Sequence, residues 1–243
     1  MIPLKDDVAK RSWPVVTVGL IGLNVLVFLY QVSLGFDARG PGAGAAEALV
    51  TEFGVTPCRL MHSCPPGLAR FADDFPNAWA TVISSMFLHA NLLHIVENLL
   101  FLWIFGAGVE DVVGHGRFVV FYLASGVAAV AAQSLLTPTS GVPMIGASGA
   151  VSGVLGAYLL LFPHATILTL VTVGFFVKFF RIPALVVLGF WVVLQLINGY
   201  LTYSAQALGR GESGGVAWFA HIGGFLAGLL LLFLLRPRQN SRL

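Results

Sequence analysis

The sequence predicts an all-α polytopic membrane protein, and three observations carry that prediction. Hydrophobic residues make up 57% of the 243-residue chain and charged residues only 10%, with a mean hydropathy of +0.88; a water-soluble globule does not sustain that balance. The apolar residues gather into runs of about 20, the length that crosses a hydrocarbon layer of about 30 Å at about 1.5 Å per helical residue. Lysine and arginine are shared unequally between alternate connecting segments. The net charge of +2, with no Lys/Arg cluster outside the termini, sets nucleic acid aside as a partner.

The elements follow in order. Residues 1–13, with Lys5, Asp6, Asp7, Lys10 and Arg11, form a charged N-terminal segment. The first span, Pro14 to Leu34, runs on without an A-x-A-like cleavage site, so it reads as a retained helix and not a cleavable signal. A long loop of about 45 residues, roughly 35–81, comes next; loops of that length are usually functional or disordered. It holds both cysteines, Cys58 and Cys64. On the oxidising side of a membrane these most simply form a disulfide. The competing reading adds His62 to make a metal site, but three ligands without a fourth is a weak signal.

The second span is placed at Val82 to Gly106, the third at Phe118 to Leu136 and the fourth at Ala147 to Phe162. The segment Ala165 to Phe180 is apolar but short, rich in β-branched residues and interrupted by Lys178. It fits a re-entrant or interfacial hairpin better than a span. The fifth span is Pro183 to Tyr203 and the sixth Val216 to Leu235; residues 236–243 form a basic tail. With six spans, nine lysines and arginines fall on one side (Lys5, Lys10, Arg11, Arg117, Lys178, Arg181, Arg236, Arg238, Arg242) and four on the other (Arg39, Arg59, Arg70, Arg210). That bias puts both termini in the cytoplasm.

The fourth span is where chemistry enters. Its roughly 16 residues reach only about 24 Å, so the preceding "TPTSGVPMIG" must dip below the external surface, where irregular backbone survives only inside protein or beside water. Ser148 then opens a helix at the floor of a cavity, beside free N–H groups and the positive dipole end. Taken alone, such a serine is more often an N-cap or part of a close-packing stripe with Gly149, Ser152, Gly153 and Gly156. The last span changes the weighting. His221 lies about one turn inside the same face, above Gly224 and Gly228, whose lack of side chains permits close approach to the fourth helix. Serine needs a neighbouring base to act as a nucleophile at neutral pH, and histidine is the usual one. In the second span His94 and Asn98, at i and i+4, share a helix face at the same depth. Their donors, with the Ser148 backbone N–H, suit an oxyanion. His89 and His94, placed on one helix, would diverge by about 140°, which argues against joint metal ligation. Asn24, Gln31, Gln133, Gln195 and Asn198 read as interhelical hydrogen-bonding residues.

These segments resemble those of the rhomboid intramembrane serine proteases, of the bacterial six-span type. The motifs that carry the resemblance are "GASG" at Gly146 to Gly149, "AHIGGFLAG" at Ala220 to Gly228, and "HIVEN" at His94 to Asn98. "FGAGVED", which includes Glu110, resembles the family's glycine and glutamate motif. The resemblance implies a rhomboid-like bundle of six transmembrane helices over 14–235. It implies Ser148 as nucleophile, His221 as general base and acid, and an oxyanion site of His94, Asn98 and the Ser148 N–H. Gly146, Gly149, Glu110, Gly224 and Gly228 take structural roles. No metal or cofactor is implied; the partners are single-span membrane-protein substrates and the lipid bilayer. The expected location is the bacterial inner membrane, with the site open to the external face. The other reading, a rhomboid-like protein that binds membrane helices without cutting them, would be marked by loss of the serine or histidine, and both are present; a transporter would need polar residues along a whole path, not at one depth.

Three departures from the family pattern raise definite questions. An aromatic residue often follows the nucleophile by four positions; here it is Ser152, so either another side chain holds the His221 ring or the ring is looser. A Trp-Arg pair common in the first loop is replaced by Trp79 and Ala80. Glu97, an ionisable group within the second span, is expected to make a structural hydrogen bond. The bulky, glycine-poor fifth span is the candidate lateral gate.

Overall fold

Lipid offers the backbone no hydrogen-bond partner, so an apolar run that spans it closes its bonds internally as a helix. In the computed structural model, which describes residues 1–35, 43–66, 76–173, 176–208 and 215–236, five helices are long and apolar enough to cross a membrane. They are α1 (Val15–Ser33), the continuous stretch Leu92–Val113, α7 (His115–Leu136), α9 (Ala184–Ala207) and α10 (Trp218–Leu235). α8 (Ser148–Leu161) has 14 residues, too few to qualify by length. The chain is a polytopic helical membrane protein. The readings that touch Arg39, Arg70, Arg210, Arg238 and Arg242 lie outside the described residues.

A small sheet shows that α8 nonetheless traverses the bundle. Strand β1 (Ile2–Asp6) pairs antiparallel with β2 (Thr166–Val173), which pairs antiparallel with β3 (Phe176–Pro183). β1 precedes α1 and β2 follows α8, so the chain returns to its starting end after an even number of crossings, and the fourth of them is α8. The ambiguous segment is therefore a β-hairpin, and the N-terminal segment supplies its third strand. Tyr158 donates its hydroxyl to Asp6 (3.0 Å), and the Thr166 N–H donates to Asp7 (2.8 Å). That N–H holds the Asp7 carboxyl below the usual carboxylate range.

The second span departs from the expected Val82 to Gly106. α4 (Ala78–Ser84) and a 3₁₀ turn (Ser85–Phe87) end at Leu88, whose backbone is extended. A new helix, α5 (Leu92–Phe101), starts after Asn91, which accepts from the His94 N–H at 2.8 Å. The break is compensated from elsewhere: the Gln31 amide, on α1, donates to the His89 carbonyl (3.2 Å) and accepts from its N–H (3.0 Å). Beyond α5 a π-helical stretch (Leu102–Gly106) leads into α6 (Ala107–Val113). The helix thus ends seven residues later than expected, because the acids beyond Gly106 are partnered.

Glu110 is one of those acids, and it is fully buried. The N-cap residue of α1 is Pro14, which supplies no side-chain hydrogen bond. Glu110 provides the cap from across the bundle, accepting from the N–H groups of Val16 (2.9 Å) and Thr17 (2.7 Å) and from the Thr17 hydroxyl (2.6 Å). His115 bonds the same carboxylate through Nδ1 at 2.5 Å. Replacing Glu110 with alanine strands these donors, and each buried unpaired group costs about 1–3 kcal/mol. A loss of about 3 kcal/mol or more is expected for Glu110→Ala in reversible unfolding from mixed micelles; a loss below about 0.5 kcal/mol, the level of a neutral surface change, would remove the capping role.

In the long loop, α2 (Ala43–Phe53) and α3 (Pro57–Leu60) pack beside α4, and Cys58 is disulfide-bonded to Cys64. α7, α8 and α10 form the centre, with α9 on its flank. The outer face of α9 leaves Leu185, Val186, Phe190, Val193 and Ile197 exposed.

Candidate active site

Ser148 is placed by the strand-like descent before α8. Met144 forms a two-way backbone bridge with Val55 (3.1 and 2.8 Å), and the Gly146 N–H donates to the Ser85 carbonyl at 2.8 Å. This irregular backbone is thus satisfied by protein, as burial in a membrane demands. Gly146 has φ +119°, open to glycine at little cost. A Cβ there would also stand 2.7 Å from Cε1 and 2.8 Å from Nε2 of His94. Ser148 is the first residue of α8, so its N–H and those of the next residues have no acceptor within the helix.

His221 reaches Ser148 because α8 and α10 touch backbone to backbone. A Cβ on Gly224 would collide with the Gly149 carbonyl, and one on Gly228 with the Gly153 backbone. Gln133 of α7 caps the start of α10 by accepting from the N–H groups of Phe219 (3.1 Å) and Ala220 (3.2 Å), where no local side chain does so. His221 Nε2 then lies 2.8 Å from the Ser148 hydroxyl oxygen.

The other face of the imidazole answers the question raised by Ser152. Ser152 folds back to donate to the Ser148 carbonyl (2.6 Å). The His221 ring is flanked by Trp191, with centroids 5.9 Å apart, and meets Trp218 edge-on at 6.3 Å. Its Nδ1 sits 2.8 Å from the side-chain oxygen of Gln195. Sequence reasoning missed Trp191 and Trp218; it read Gln195 as an interhelical hydrogen-bonding residue, which it is, but did not name His221 as its partner. The available signal was the i, i+4 spacing of Trp191 and Gln195, which puts both on one face of α9.

His94 is half-buried against Gly146. Its Nδ1 accepts from the Ala90 N–H at 3.2 Å, which leaves the ring proton on Nε2, the atom that faces Gly146. Asn98 is buried and donates one amide hydrogen to the His94 carbonyl at 2.8 Å, so one hydrogen remains for a ligand. Two expectations for this span fail. His89 lies in the break before α5 and not on the helix, so the 140° divergence does not apply; its ring meets that of His94 edge-on at 5.1 Å. Glu97 is exposed and forms no hydrogen bond or ion pair among the described residues. Ile95 and Asn98 mark the buried stripe of α5, and Glu97 falls outside it. No cluster of three or more His, Cys, Asp or Glu side chains able to hold a metal occurs among the described residues. A cavity of about 30 Å³, bordered by Ser85, Gly146, Ser148, Gly149 and Ala217, has room for a water molecule beside the serine.

Comparison with known proteins gives a consistent set of likenesses. Residues 76–238 match the family model described as the Rhomboid domain. The chain is 40% identical over 81 residues to Rhomboid protease GluP of Bacillus subtilis, covering 33% of this chain and 15% of that protein. It is 33% identical over 162 residues to Rhomboid protein 1, mitochondrial, of Saccharomyces cerevisiae, covering 65% and 42%. RHOMBOID-like protein 6, mitochondrial, of Arabidopsis thaliana is 26% identical over 247 residues, covering 98% and 73%. The chain thus spans less than half the length of the first two of these relatives.

Proposed function

The chain belongs to the rhomboid family, and from that membership we propose that it is an intramembrane serine endopeptidase working through Ser148 and His221. The observation that carries the reading is the 2.8 Å contact between the Ser148 hydroxyl and His221 Nε2, in a histidine whose other nitrogen is already engaged. As Ser148 Oγ attacks a peptide carbonyl, its proton passes to Nε2. The oxyanion forms beside the Ser148 N–H, His94 Nε2–H and the remaining Asn98 amide hydrogen. His221 then protonates the leaving amine, the C–N bond breaks, and an acyl-enzyme remains. Water, deprotonated by His221, attacks the ester, releases the new carboxylate and restores Ser148.

The substrates in this reading are single-span membrane proteins with small or helix-breaking residues near the external end, since an intact helix hides its scissile carbonyl. Both termini face the cytoplasm and the site opens outward, as the charge bias favours. Substrate enters beside α9, which flanks the dyad and turns an apolar face outward. Cross-linking α9 to α5 is expected to stop cleavage of an embedded substrate while a small soluble fluorophosphonate still labels Ser148; unchanged cleavage would rule out this route.

The test of the activity is cleavage of a generic single-span protein in liposomes, scored by product mass. Cleavage that depends on Ser148 and His221 supports the protease. A folded wild-type chain that binds but never cuts several such substrates would replace it with a helix-binding role.

A further inference from the structure

We infer that Gln195 is a positioning residue for His221, occupying the place that a carboxylate holds beside the histidine of a Ser/His/Asp triad. The inference rests on the reading of Ser148 and His221 as the reacting pair. Gln195 is only 6% exposed, although it stands on a helix whose neighbouring residues, Leu194 and Leu196, face outward. An amide buried among apolar side chains is costly unless both ends are bonded. Its Nε2 donates to the Trp191 carbonyl at 3.3 Å, one helical turn back, which fixes the amide's orientation. Its oxygen is thereby turned to His221 Nδ1 at 2.8 Å.

An amide oxygen has no proton to give, so the Nδ1 of His221 must be the donor. The neutral ring then carries its lone pair on Nε2, facing the Ser148 hydroxyl. In the opposite tautomer Nε2 would already hold a proton and could not take the one from serine. No Asp or Glu occurs in α8, α9 or α10 to set the tautomer instead. Trp191, which flanks the same ring, lies four residues before Gln195 on α9. The backbone of the dyad is thus held by the glycine contact of α8 and α10, whereas two of the groups that orient the imidazole come from α9.

The test compares Gln195→Met, which keeps the length and loses the acceptor, with Gln195→Glu, which keeps an acceptor oxygen. Each is assayed in liposomes for kcat and KM on a single-span substrate, for the rate of Ser148 labelling by a soluble fluorophosphonate, and for thermal stability. Gln195→Met is expected to lower kcat and the labelling rate together by about 100-fold, with KM within about twofold, the pattern of a lost orienting contact. Gln195→Glu is expected to recover at least about tenfold of that. Equal losses in both variants, or a methionine variant within about threefold of wild type, would overturn the assignment. A measurement on the unmodified protein covers the case in which a variant fails to fold: ¹⁵N NMR of the His221 ring should show the proton on Nδ1, and a proton on Nε2 would overturn the proposal. Absence of both cleavage and labelling in the wild type would instead defeat the protease reading, and the tautomer would still decide the contact.

Discussion

Ser148→Ala and His221→Ala are each expected to lower cleavage by about 10⁴-fold or more, and the double variant by no more than the worse single one. Groups that act as one unit in the transition state lose their joint effect when either is removed, so the losses do not add. What survives comes from the oxyanion donors and from binding, and in a gel-based assay it falls below detection. The two variants differ in what they do to the fold. Removing the small Ser148 hydroxyl leaves α8 and α10 in place, because their contact runs through Gly149, Gly153, Gly224 and Gly228. Removing the His221 ring empties space beside Trp191 and Trp218 and leaves the Gln195 oxygen without its partner. A buried acceptor so exposed costs about 1–3 kcal/mol. Ser148→Ala loses only the contact to His221 Nε2 and should therefore unfold closer to the wild-type midpoint than His221→Ala, which loses both ring contacts as well. Cleavage that survives Ser148→Ala would mean that the nucleophile is elsewhere.

Gly224→Ala is expected to damage both stability and rate, although it adds a single methyl group. The new Cβ would meet the Gly149 carbonyl and approach its carbon to 3.0 Å, with the Ala129 Cβ at 3.4 Å. Backbone cannot swing away as a long side chain can, so the helices must part. Overpacking of this kind costs about 1–3 kcal/mol. The kinetic effect is larger in proportion, since His221 lies one turn from Gly224 and a displacement of about 1 Å at reacting groups costs about 100-fold. Gly189→Ala is the matched control: nothing lies within 4 Å of its added methyl group, and alanine favours a helix by about 1 kcal/mol over glycine. A Gly224→Ala variant with wild-type rate and stability would show that the helices can separate without disturbing the Ser148–His221 contact.

The solvent, most of the spans and the pairing of Ser148 with His221 were legible in the sequence for one reason. In a chain destined for lipid, every polar or small residue inside an apolar run is conspicuous, so Ser148, His221, Gly224 and Gly228 could be read as a set by their depth. The same logic found the hairpin at 165–180, where β-branching and Lys178 spoil a span. It failed where a local pattern was overridden by a distant partner. Val82 to Gly106 looks continuous, yet it breaks at Leu88–Asn91 because Gln31 satisfies the backbone of His89 from another helix. Glu110 and Asp111 lie beyond the expected end of the span, yet the helix includes them because Glu110 caps the start of α1 and Asp111 accepts from Ser12 in the segment before it.

Hydrophobicity and residue size are properties of a residue and its near neighbours, and they were enough to place the bundle and the glycine contact that holds its centre. Hydrogen-bond partners are not. Gln31, Gln133 and Gln195 are the same side chain in similar apolar runs, but one grips a loop, one caps a helix and one faces the catalytic candidate His221. A buried amide takes whichever donors and acceptors the packed helices leave unpaired beside it, and that choice exists only once the tertiary structure has formed.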